Sequence, residues 1–147
     1  MQTIRLDLKY GLASVDSTPI AVDEKGILGE SILRLCSPPI ETDGGRTQYR
    51  LLKKMSAFGK SADVVIEING KRVCAITILF DFIEFLESNV LESKILKACE
   101  KSLNVNFTSN HPSTAFLDFC EWGKLTFFYD AKQGDLSLDI TFDENSN

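Results

Sequence analysis

Asn69-Gly70 joins two runs rich in β-branched residues, Val64-Val65-Ile66-Glu67-Ile68 and Arg72-Val73-Cys74-Ala75-Ile76. Asn and Gly tolerate the two positive φ angles of a type I′ turn, the two-residue link whose twist matches that of paired strands. The spacing predicts a hairpin with Ile68 opposite Lys71 and Glu67 opposite Arg72. The opposite charges of Glu67 and Arg72 would add about 0.2–1 kcal/mol to that register. A hairpin alone is marginal in water, so further strands have to pack beside it.

The rest of the chain offers them. Ile4, Leu6, Leu8 and Tyr10 alternate with Thr3, Arg5, Asp7 and Lys9, and Leu136, Leu138, Ile140 and Phe142 alternate with Ser137, Asp139 and Thr141. A period of two marks a half-buried strand in a sheet with one wet face. Strands are also predicted at 115–120 and 125–130, with a short one at 105–108.

Helical spacing predicts three helices. Over 46–58, Leu51, Leu52, Met55 and Phe58 share one arc, with Arg46, Arg50, Lys53 and Lys54 opposite. Over 81–88, Phe82, Ile83, Phe85 and Leu86 oppose Asp81, Glu84 and Glu87. Asn89 and Glu92 form a capping-box pattern opening 90–103, where Leu91, Ile95, Ala98, Cys99 and Leu103 line one side. A further candidate at 24–35 contains Gly26 and Gly29, each costing about 1 kcal/mol in a helix. The expected fold is α+β: one domain over 1–147 with a frayed 143–147 tail, the first and last strands sharing a sheet. That sheet is expected to be largely antiparallel, of about six strands, with three to four helices packed on one face.

A chain of 147 residues buries enough surface to fold without disulfides. Arg5, Asp7 and Lys9 interrupt the opening residues, unlike a secretory leader, and no apolar run reaches the ~18–20 residues of a membrane helix. The expectation is a cytoplasmic protein, not membrane-bound, with Cys36, Cys74, Cys99 and Cys120 reduced and buried.

His111 is the single histidine, so any Ser-His-Asp or Cys-His unit would run through it. It precedes Pro112 in a turn-like stretch, 109–112, where a histidine is ordinarily exposed and polar. The sequence lacks a Cys-x-x-Cys pair and a dense aspartate loop, so no metal is expected. Gly44-Gly45 and Gly26-x-x-Gly29 fit no phosphate or dinucleotide fingerprint, so no cofactor is expected. With 21 acids, carboxylate pairs such as Asp118 and Glu121 arise by chance. No catalytic residue is assigned, and the chain is expected not to be an enzyme.

The charge is segregated within a net −5. Asp43 and Asp63 bracket an acid-free stretch holding Arg46, Arg50, Lys53, Lys54 and Lys60, which could face acids of its own chain. The stretch 73–93 has no base and carries Asp81, Glu84, Glu87 and Glu92, and Asp135, Asp139, Asp143 and Glu144 crowd the C-terminal end. A net acidic balance argues against general binding to the phosphate backbone of nucleic acid. It suits plain solubility, or a basic protein partner that would dock at Asp81, Glu84 and Glu87, or at Asp135, Asp139, Asp143 and Glu144, with Trp122, Phe128 and Tyr129 as aromatic anchors.

In size, acidity, clustered carboxylates and absent catalytic apparatus the chain resembles the bacterial immunity proteins of contact-dependent growth inhibition and related polymorphic-toxin systems. The resemblance implies a monomer that binds one cognate toxin, often a basic nuclease, and blocks it. Three other readings remain open. One is an acidic secretion chaperone for an effector, usually dimeric. Another is an enzyme of unrecognised type using carboxylates. The weakest is nucleic-acid binding through Arg46, Arg50, Lys53 and Lys54.

Overall fold

The structure, a computed structural model, describes residues 1–7, 9–22, 25–81, 91–111, 114–120, 122–130 and 135–142; for 91–95, 109–111, 114–120, 129–130 and 135 it describes the backbone alone. Strands dominate. In chain order they are β1 Ile4–Asp7, β2 Leu12–Val15, β3 Thr18–Pro19, β4 Ala21–Val22 and β5 Ile27–Leu28, then a one-turn helix, α1 Glu30–Leu33. Next come β6 Ile40–Thr42, β7 Arg46–Arg50, β8 Met55–Ala57, β9 Lys60–Asn69 and β10 Arg72–Phe80. The helix α2, Leu91–Leu103, precedes β11 Thr108–His111, β12 Thr114–Cys120, β13 Gly123–Asp130 and β14 Asp135–Phe142.

These strands form two sheets. The larger has 11 strands, its main path running β11-β12-β13-β14-β10-β9-β7-β6, with β5 and β4 attached at β10 and β8 attached at β9. The smaller is β1-β2-β3. The expectation of an α+β sheet of six strands under three or four helices is therefore wrong. The described residues are 58% strand and 11% helical, with two helices of which one reaches 7 residues. The first and last strands also lie in different sheets.

The predicted helix over 46–58 is strand, bend and strand instead. Arg46–Arg50 pairs with β9, setting Tyr49 opposite Ile66, and Met55–Ala57 pairs with the start of the same strand. The supposed apolar arc splits: Leu51 and Met55 are 1% exposed, but Leu52 is 69% exposed. A lone helix of this length is marginal, whereas the β9 edges offer both hydrogen bonds and apolar neighbours. The reversal into β9 follows from Phe58 and Gly59, at φ 52 and 79, the two positive angles of an I′ turn. Of the 24–35 candidate, Ile27–Leu28 is strand and only Glu30–Leu33 is helical. The predicted helix at 81–88 lies, after Asp81, outside the described residues, as do Asn89 and Val90 before α2. The short strand expected at 105–108 begins instead at Thr108 and takes in His111, so 109–111 is strand and not loop.

The central hairpin is present, with its turn one residue later. Asn69 pairs with Arg72 and Ile68 with Val73, so Gly70 and Lys71 make the turn. Only Gly70 has positive φ, 68°, which is the II′ pattern. Glu67 consequently lies opposite Ala75, not Arg72, after a register shift between Val73 and Ala75. This bulge at Cys74 decides which side chains face outward. Val73 stays inward beside Ile68, and Ala75, Thr77 and Leu79 fall on the other face.

Burial alternates along β9, and along β14 from Leu138 to Thr141, giving an inner face of Val64, Ile66, Leu138 and Ile140, each fully buried, while Ser137 is buried on the other face. Ile76, Ile78, Leu125 and Phe127 continue it, and Ile4, Ala13 and Val15 of the small sheet, Ile32 of α1 and Cys99 of α2 join the same cluster. Each buried Val, Leu, Ile or Phe side chain among them contributes about 1.5–3 kcal/mol, against at most about 1 kcal/mol for an exposed ion pair. The core therefore sets register and facing, and the surface charges follow it.

Trp122 ties the two sheets together. Its ring packs on Phe142, centroids 5.7 Å apart, and lies under the β1–β2 turn, where a Cβ added to Gly11 would overlap the indole. Gly11 is needed twice over, since it also holds φ at 66°. Gly11→Ala should lower stability by about 1–3 kcal/mol and alter the emission of Trp122, the sole tryptophan. Denaturant titration followed by fluorescence checks this, and an unchanged midpoint would refute the contact.

Candidate interaction face

The outward face of the large sheet is laid out by strand register. Across β13, β14, β10, β9 and β7 one row runs Thr126, Asp139, Thr77, Val65, Arg50. The row on one side runs Lys124, Thr141, Ala75, Glu67, Gln48, and on the other Phe128, Ser137, Leu79, Asp63. The inner face is apolar throughout, whereas this face mixes hydroxyls and charges with half-buried Val65, Ala75 and Leu79, and Phe128 is exposed among them.

Most charges at the β7–β9 side are matched within the chain. Arg46 bridges Glu67 at 3.2 Å and Arg50 bridges Asp63 at 2.9 Å, while Lys54 reaches Asp63 at 3.5 Å and Asp81 at 3.7 Å. The basic stretch thus faces acids of its own chain, which removes most of the positive field that nucleic-acid binding would use.

Asp139 differs. It sits mid-face, half-buried, between Thr77 and Thr126, and among the described residues no lysine or arginine forms an ion pair with it. Burial raises its carboxyl above the ordinary aspartate value; the Thr77 hydroxyl, donating to it, works against this, and the nearby Glu67 carboxylate adds to the rise.

Of the residues singled out from sequence, Asp139 lies on this face and Asp81 follows β10, held by Lys54 with its amide donating to the Ser61 carbonyl at 3.1 Å. Trp122 is committed to Gly11 and Phe142. Tyr129 and Asp135 lie at the end of the β13–β14 hairpin, Tyr129 opposite Leu136 and Asp135 opposite Asp130. Glu84, Glu87, Asp143 and Glu144 lie outside the described residues. Sequence reasoning missed Thr77, Thr126 and Glu67 as neighbours of Asp139, because the bulge and strand order that assemble them leave no local signal.

Among the described residues no three His, Cys, Asp or Glu are placed to hold a metal, and no helix is long and apolar enough to cross a membrane. Burial pushes the Cys99 thiol up to about 12 and raises Cys36, so neither is an activated nucleophile. The chain matches no protein-family model, no curated protein and no solved structure.

The pH consequence of Asp139 has a definite sign. A folded-state pKa above the unfolded one means ionisation costs stability, a cost fully absent below the unfolded value and complete above the folded one. Asp139→Asn, which can still accept from Thr77, should be more stable than the native chain at neutral pH. The difference should vanish as pH falls below the ordinary aspartate value of 3.8. Melting both proteins across this range tests it; equal stability at neutral pH would contradict it.

Proposed function

We propose that the protein acts by binding, without turnover, a basic partner protein through the sheet face centred on Asp139, and that the partner is a toxin it neutralises. The observation that carries this reading is Asp139 itself: a half-buried negative charge, mid-face, with no cation paired to it among the described residues while neighbouring acids are matched. Such a charge costs the isolated fold stability, and a partner's arginine or lysine would return that cost on docking. Thr77 and Thr126 supply hydroxyls beside it, Phe128 supplies an exposed aromatic one row away, and the ion pairs toward β7 form a polar rim. The net charge of −5 would speed encounter with a basic partner. The immunity-protein reading adds that the partner is a toxin encoded beside this gene.

Co-expression of the neighbouring gene product should be harmful alone and harmless with this protein. The purified complex should associate more slowly as salt rises. Asp139→Lys should weaken it at least about 30-fold, and Phe128→Ala about tenfold. Full affinity in both variants would remove this face from the interface, and turnover of a substrate by the pure protein would end the non-catalytic reading.

A further inference from the structure

A second surface lies on the small sheet, directed away from the core. Ile4, Ala13 and Val15 point inward and are buried, so Arg5, Asp7, Leu12 and Ser14 form the opposite face. A groove of about 630 Å³ runs over that face. Its apolar lining includes Leu12 and Pro19 of the small sheet and Val22 of β4, which belongs to the larger sheet; Leu12 is 50% and Val22 40% exposed. Tyr10, at the adjoining turn, is 62% exposed. Singly exposed apolar residues are ordinary, but several on one groove mark a contact surface.

The charges on this groove identify the occupant. Arg5 and Asp7 are both exposed and stand two residues apart on the same face of β1, a spacing of roughly 7 Å. Arg5 has no ion pair among the described residues, and Asp7 uses one carboxylate oxygen only for the Lys9 amide, at 2.9 Å. Two neighbouring opposite charges are self-complementary. A two-fold axis lying in the contact plane, across the strands between Arg5 and Asp7, exchanges their positions. It sets Arg5 of each copy over Asp7 of the other and brings Leu12 over Ser14.

We propose that the outer face of the small sheet is a self-association surface, on which two copies of this chain dock face to face about such an axis. The pairing differs from the monomer that the sequence suggests. The groove's lining shares no residue with the face around Asp139, so either surface can fail without the other.

Sedimentation equilibrium of the full chain, from micromolar to millimolar, tests it. The native protein should dimerise with concentration. Arg5→Asp and Asp7→Arg, each alone, should weaken the dimer by at least about tenfold, since each sets like charges face to face. The double exchange should restore affinity to near the native value. Leu12→Asp should weaken the dimer with the circular dichroism spectrum unchanged. A monomer throughout, or a double exchange no tighter than the single variants, would overturn the proposal.

Discussion

The burial of one face of β9, β10 and β14 is the constraint on which the molecule rests. Val64, Ile66, Ile78, Leu138 and Ile140 are fully buried, and Ile76 nearly so. Strand alternation then puts the intervening residues on the other face, Glu67, Thr77 and Asp139 together with the aliphatic Val65, Ala75 and Leu79. Sliding any one of these strands by a single residue would exchange the two sets. The candidate face around Asp139 is thus a by-product of core packing, and its chemistry is set by which residues alternate with the buried ones.

Clean local alternation was legible only in part: of 3–10, Ile4–Asp7 is strand, while Tyr10 is exposed in the turn that follows. Leu136, Leu138 and Ile140 are inward as their spacing indicates, and 125–130 lies within β13. The stretch 46–58 was not legible, because Leu51, Leu52, Met55 and Phe58 satisfy a helical arc as readily as they fit a strand, a bend and a turn. What decides between them is β9, a long strand with β10 along one edge and both β7 and β8 along the other. That partner is distant information. The bulge at Cys74 is hidden for a different reason: in Val73-Cys74-Ala75-Ile76 every side chain tolerates burial, so no polar residue marks the slip.

The same limits apply to charge. Blocks of like sign along the chain suggested separate basic and acidic surfaces, yet Arg46, Arg50 and Lys54 meet Glu67, Asp63 and Asp81 across the fold. These exposed pairs contribute little stability. Their consequence is subtraction: they cancel neighbouring charge and leave Asp139 as the distinctive electrostatic feature of the described face. Trp122 shows a comparable reassignment, since an aromatic suited to anchoring a partner instead anchors the β1–β2 turn to the main sheet. Candidate residues were recoverable from composition; their neighbours required the topology.

Binding through the outward face of the large sheet is the central claim, and amide and methyl resonances followed during titration with the cognate partner test it most directly. The account predicts that the largest changes cluster on Thr77, Thr126, Phe128 and Asp139, with the inner-face methyls of Ile66 and Leu138 scarcely affected. Changes confined to α2 or to the small sheet, with this face silent, would contradict it.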